Sequence, residues 1–176
     1  MSSKKCLLVI DVQTGMFNLS RTLFKSDSIL SNIAQLIKKA RTENSKVIFL
    51  QHSGSEKSPF YKGSNGWKLH PRINPGPDEY IIEKKYPDSF QDTRLNEILM
   101  KLGIEHIVVC GIVTEGCIDT TVRKAYSLGY KVELASDCHC TTDSSILTAE
   151  QIVNHHNQVL KIFSDVKETE KISFKD

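Results

Sequence analysis

Residues 104–128 read IEHIVVCGIVTEGCIDTTVRKAYSL, and the fold follows from how this stretch changes character in the middle. Ile107, Val108, Val109 and Cys110 form an unbroken run of β-branched or small residues, as in a parallel strand covered on both faces. Gly111 ends the run. Thr114 then stands where an N-cap would, and Ile118, Val122 and Ala125 recur at spacings of four and three, the stripe of a helix lying on a sheet. With Thr114 as N-cap, Cys117 falls at N3. There the unpaired N–H groups and the positive end of the helix dipole stabilise a thiolate and an oxyanion beside it. The same residues also fit a plain helix start with a small core cysteine.

Working outward, CLLVID at 6–11 is an apolar run that stops at an acid, placing Asp11 at the C-terminal end of a first strand. VQTGMFN follows as a loop. Ile29, Leu30, Ile33, Leu36, Ile37 and Ala40 carry helical spacing, then Val47 to Leu50 form a second strand ending in Gln51 and His52. EYIIE at 79–83 is a short third strand, and Leu95, Ile98, Leu99 and Leu102 mark a helix closed by Gly103. Beyond the central stretch, residues 131–135 alternate into a fifth strand ending at Ser136 and Asp137. A last helix spans 148–163 and a weak sixth strand lies within 164–174. Strands alternating with helices predict a three-layer α/β/α sandwich on a mostly parallel sheet of about six strands, one domain over residues 1–176.

Residues 53–79 differ in kind. They hold four glycines and four prolines among Ser, Lys and Asn, together with Phe60, Tyr61 and Trp67. A segment of that length without periodicity reads as a lid or substrate loop. Its aromatics either meet a ligand or pin the loop to the body, and both can hold.

Composition excludes several functions. The chain has 176 residues, 39% hydrophobic and 25% charged, with a formal net charge of +2. No basic stripe stands out, so nucleic acid is not an expected partner. The apolar run after the basic lead is too short for a signal sequence or a membrane span, which predicts a cytoplasmic protein that does not engage a membrane. Five cysteines scattered over strands and loops do not form a disulfide framework.

In such a sheet ligands bind beyond the carboxyl ends of the strands. Asp11, Lys84 and Asp137 each follow a strand there, and Cys117 opens the helix after the fourth. A carboxylate can take the thiol proton, an ammonium can favour the charged forms of both, and a thiolate can attack a carbonyl.

Four pieces, LLVIDVQTGMF, EKKYPDSFQDTRL, VVCGIVTEGCIDTTVRKAYSLGY and VELASDC, together resemble the isochorismatase-like cysteine hydrolases along nearly the whole chain. The resemblance implies a catalytic triad of Asp11, Lys84 and Cys117. Lys84 is preferred over Lys85 because the family lysine stands six positions before the phenylalanine, here Phe90. It further implies a non-proline cis peptide at Ile112–Val113, with the N–H groups of Val113 and Cys117 as the oxyanion hole. Gln13, Phe17, His52, Trp67 and Glu115 are the candidate substrate contacts. A homodimer or larger homo-oligomer acting on a small molecule is implied as well.

Two departures narrow the chemistry. The metal-binding nicotinamidase branch carries Asp-x-His after its second strand, whereas this chain reads Phe49, Leu50, Gln51, His52, Ser53, so no metal and no cofactor are expected. Vinyl-ether-cleaving isochorismate hydrolases tend to lack the nucleophilic cysteine, so Cys117 favours hydrolysis of an amide-type C–N bond. The alternatives are vinyl-ether hydrolysis, a catalytically silent binding or scaffold protein, and a redox-sensing thiol. Cys138, His139 and Cys140 lack the paired spacing of a metal site and read as a loop near the active site. His155 and His156 are adjacent on a helix, so at most one faces inward.

Overall fold

A computed structural model describes residues 4–18 and 20–175. Its six strands are β1 (Lys4–Ile10), β2 (Lys46–His52), β3 (Tyr80–Lys84), β4 (Ile104–Ile112), β5 (Lys131–Cys140) and β6 (Asp165–Lys167). They form one sheet in the order β3-β2-β1-β4-β5-β6, and every pairing is parallel. The helices are α1 (Thr14–Phe17), α2 (Ser26–Thr42), α3 (Leu95–Lys101), α4 (Asp119–Ser127) and α5 (Ala149–Val159). Among the described residues no helix is long and apolar enough to cross a membrane.

The two-residue period of the strands sorts the core into two layers. Leu7, Val9, Val47, Phe49 and Val108 point one way and pack with Ile33, Leu36 and Ile37 of α2. Leu8, Ile10, Ile48, Leu50 and Val109 point the other way, onto Leu95 and Leu99 of α3 and Val122 and Ala125 of α4. Each central strand is thereby buried on both sides, which is why its sequence shows an unbroken apolar run rather than alternation.

The strand order reverses between β1 and β4. Chain connections leave these two neighbours in opposite directions along the sheet, opening a crevice at their carboxyl ends. Gly111 marks the place on β4. Its φ is +134°, and a Cβ there would stand 2.1 Å from the Ile10 carbonyl oxygen, so only glycine lets the two strands approach.

Three expectations need correction. β5 does not stop at residue 135 but runs on to Cys140, because its register on β4 slips between Val109 and Gly111 and the pairing resumes at Gly111 with His139. The Cys138–His139–Cys140 segment is consequently buried strand rather than loop. The last helix is regular only over Ala149–Val159 and tightens into a 3-10 turn at 160–162, with β6 reduced to three residues.

Candidate active site

Asp11 is the first residue past β1. Its backbone takes a left-handed conformation with φ +52°, turning the carboxylate into the crevice, where it is fully buried. Lys84 closes β3, two strands away. Register pairs it with His52 and puts it on the face of Ile82 and Leu50, so its long side chain lies beneath the end of β2. The ammonium reaches Asp11 Oδ2 at 2.7 Å with both side chains out of solvent. It donates also to the Tyr86 carbonyl at 3.0 Å and the Cys117 sulfur at 3.3 Å. The Asp11 carboxylate thus faces both the Lys84 ammonium and the Cys117 thiol.

Cys117 sits differently from the expected N3 position. Val113 is the extended residue before the helix, and Thr114–Ile118 form a π turn in which Ile118 N–H donates to Val113 O at 3.2 Å. Thr114 does not cap; its hydroxyl is buried against His139 Nδ1 at 2.9 Å. The helix α4 begins only at Asp119. The peptide Ile112–Val113 is cis.

The electrostatics also differ from a poised thiolate. Burial foremost, then the Asp11 charge, push the Cys117 thiol up to about 12, with Lys84 pulling the other way. Burial likewise raises Asp11 above the ordinary carboxylate value, against the opposing pull of Lys84 and the thiol. The resting pair is therefore a thiol facing a carboxylate whose basicity has been increased. Lys84 sets the balance by offsetting the charge wherever it resides, on oxygen or on sulfur.

Other expected site residues divide into those that reach the crevice and those that hold it. His52 is half-buried at the end of β2, close enough to Asp11 and Lys84 to feel both charges. Burial depresses its pKa, and its Nδ1 has no protein partner. Phe60 meets its ring edge-on at 6.2 Å. Gln13 is fully buried, and its amide is spent on backbone: it donates to His52 O at 2.9 Å and Trp67 O at 2.7 Å, and accepts from His52 N at 2.9 Å. It is a brace rather than a ligand contact. The indole of Trp67 donates to Ser53 Oγ at 2.9 Å, which pins the loop. Phe17 lies against His70, the ring centroids 4.7 Å apart and the planes tilted by 55°. Glu115 is exposed and accepts from Thr141 Oγ1 at 2.8 Å. Asp137 does not join the crevice, because β5 overruns it; Thr169 and Asn32 hold its carboxylate instead.

Residues 53–79 are laced to the body. Thr14 N–H donates to Lys68 O at 2.8 Å, Gly15 N–H to Gly66 O at 2.9 Å and His70 N–H to Val12 O at 2.9 Å. Beside this segment a cavity of about 230 Å³ is lined by Ser53, Glu83, Lys84, Lys85, Tyr86 and Asp92. Asp11 and Cys117 do not line it, so it flanks that pair. Among the described residues no three His, Cys, Asp or Glu side chains are grouped as metal ligands. His70, the histidine of the loop, accepts from Arg72 N–H through Nδ1, and the end of β2 reads Leu50, Gln51, His52 with no aspartate, so the donor set lacks the carboxylate of the nicotinamidase branch's Asp-x-His.

Sequence reasoning missed the Thr114–His139 bond and the Gln13 brace. The first depends on a register slip with no local signature. The second was signalled only by a glutamine two positions after the acid that follows β1.

Comparison with known proteins gives a consistent outcome. The sequence profile of the isochorismatase domain matches residues 5–167. A streptothricin hydrolase of Streptomyces noursei is 34% identical over 139 residues, 79% of this chain and 50% of that protein. The chain thus spans about half the length of that relative. A nicotinamidase of Arabidopsis thaliana is 29% identical over 158 residues, covering 80% of this chain and 75% of the other. The crystal structure of an isochorismatase from Pseudomonas putida superimposes with a TM-score of 0.93 at 29% identity, over 96% of this chain and 90% of that one.

Proposed function

The chain belongs to the isochorismatase domain family, and on this premise we propose that it is a hydrolase, a cysteine amidohydrolase in which Asp11, Lys84 and Cys117 cleave an amide-type C–N bond of a small molecule. The observation that carries the reading is the convergence of these three side chains in one crevice, Asp11 and Lys84 buried and Cys117 partly so, with Lys84 Nζ 2.7 Å from Asp11 and 3.3 Å from Cys117. A buried aspartate and lysine set against a cysteine have no use in a passive scaffold, where an apolar triplet would be at least as stable. That relatives are named a streptothricin hydrolase and a nicotinamidase supports hydrolysis of an amide in this chain.

The chemistry follows from the resting charges. A thiol held near 12 is a weak nucleophile in itself, so it must lose its proton as it attacks, and Asp11 takes that proton. The sulfur adds to the amide carbonyl. Negative charge developing on the oxygen is received by the N–H groups of Val113 and Cys117. Asp11 then returns the proton to the departing amine, the C–N bond breaks and a thioester remains. Water deprotonated by Asp11 hydrolyses the thioester and restores the thiol, while Lys84 neutralises whichever partner is charged.

The test is ammonia or amine release from a panel of small amides, ureides and carbamoyl compounds, with chelator present, by the wild type and Cys117→Ala. Turnover that survives chelation and vanishes in the variant supports the reading. Undiminished turnover in Cys117→Ala would sink it.

A further inference from the structure

We propose that His139 is a positioning residue which, oriented by Asn157 and bonded to Thr114, holds the turn that carries Cys117. The inference rests on the reading of Cys117 as nucleophile. Asn157 Nδ2 donates to the Ser136 carbonyl at 3.1 Å, which turns its Oδ1 toward His139 Nε2 at 3.0 Å. A carbonyl oxygen only accepts, so Nε2 carries the proton. Burial lowers the imidazole to about 4, with the Asn157 bond opposing, so the ring is neutral and Nδ1 is bare. Thr114 Oγ1, 2.9 Å away, must then be the donor. Every hydrogen in the chain Asn157, His139, Thr114 has one direction, and neither His139 nor Thr114 has any solvent exposure with which to compensate a broken link.

The turn needs such a hold. A π turn is an uncommon geometry, frequent at functional sites, and a return to α spacing would rotate Cys117 away from Asp11. One side is fixed by Val113 O, which accepts from Gly116 N–H at 3.3 Å and Ile118 N–H at 3.2 Å. The other is fixed through the Thr114 hydroxyl. β5 supplies the imidazole because its register slips before Gly111 pairs with His139; an unslipped strand would carry this residue past the crevice.

The experiment follows alkylation of Cys117 by iodoacetamide, located by peptide mass spectrometry, in the wild type, Thr114→Val, His139→Leu, His139→Gln and the double variant Thr114→Val/His139→Leu. When the thiol proton passes to Asp11 inside the site, the rate changes little between about pH 6 and 8. A thiol turned out of line must lose its proton to solvent, and its rate climbs about tenfold per pH unit. Thr114→Val and His139→Leu are expected to show the climbing profile, the double variant to match either single, and His139→Gln, which keeps one donor and one acceptor, to retain the flat one. A flat profile in Thr114→Val, or a double variant whose effect is the product of the singles, overturns the proposal. Cys138 and Cys140 are buried; their alkylation in His139→Leu would signal a loosened fold, and Thr114→Val with His139→Gln then decide. A climbing profile in the wild type itself would count against Asp11 as base, while the non-additivity of the two single changes would still judge the relay.

Discussion

Lys84 Nζ stands 2.7 Å from Asp11 Oδ2, both side chains wholly removed from solvent at the carboxyl ends of strands separated by β2. A buried pair of this kind does not stabilise a fold in proportion to its attraction, because both ions have been stripped of water. Losing one partner is another matter.

Lys84→Met leaves the Asp11 charge buried without a counterion and is expected to destabilise the protein by about 3–5 kcal/mol. Adding Asp11→Asn should recover a large part of that loss, since the neutral amide has no charge to strand. Urea denaturation of the two single variants and the double variant checks this. A double variant less stable than Lys84→Met would contradict it.

Asp11 must be ionised to accept the thiol proton, and burial raises its pKa above the ordinary 3.8. The acid limb of kcat/KM should therefore fall at a pH above the usual aspartate range, with an apparent value belonging to the coupled site rather than to one residue. Asp11→Asn should lower kcat by about 10²–10⁴ and abolish that limb. A limb at or below 3.8 would assign the proton to another group.

At the opposite end of the sheet Glu133 is buried beside Lys5 Nζ at 2.9 Å and His106 Nε2 at 3.1 Å. Burial alone would raise its pKa, but the bonds from His106 and Lys5 win and hold it at about 2, against an ordinary 4.5. A depressed folded value means that the stabilisation is complete above 4.5 and lost as the pH falls from there through 2. Glu133→Gln should therefore reduce stability at neutral pH by about 2 kcal/mol and flatten its decline over that interval, as denaturant midpoints taken along the acid range would show.

The sequence carried the fold where burial leaves a local signature. The apolar runs of β1, β2 and β4 and the stripe of α2 are each visible in a few consecutive residues, because a sheet covered on both faces demands them. Asp11 and Lys84 were legible as polar residues ending such runs, and Cys117 as a thiol after a glycine-broken strand. His139 was not legible. Its role depends on β5 slipping against β4, a non-local event, and with its neighbours Cys138 and Cys140 it read as a loop rather than as buried strand. The Thr114 cap failed for a related reason: the buried imidazole claims a hydroxyl that local preference assigns to the backbone. Gln13 shows the reverse error, since a polar residue two positions after a buried acid invites a ligand role while its amide is consumed by the backbone of β2 and the 53–79 segment.

That brace supports a last prediction. Gln13→Leu fills similar space but supplies neither donor nor acceptor, leaving the Trp67 carbonyl with only the Gln51 bond at 2.8 Å and the His52 N–H with no partner from residue 13. Each buried group so abandoned costs about 1–3 kcal/mol, so a global loss of roughly 2–4 kcal/mol is expected. The local effect separates this from ordinary core damage: His52 and Trp67 are joined through one side chain, so amide exchange should accelerate first across the 53–79 segment and at His52, while β4 and α4 stay protected. Hydrogen exchange read by mass spectrometry resolves the two cases. Uniform acceleration across the sheet would mean that Gln13 supports the core in general, and that the loop holds its place on the body by its other bonds alone.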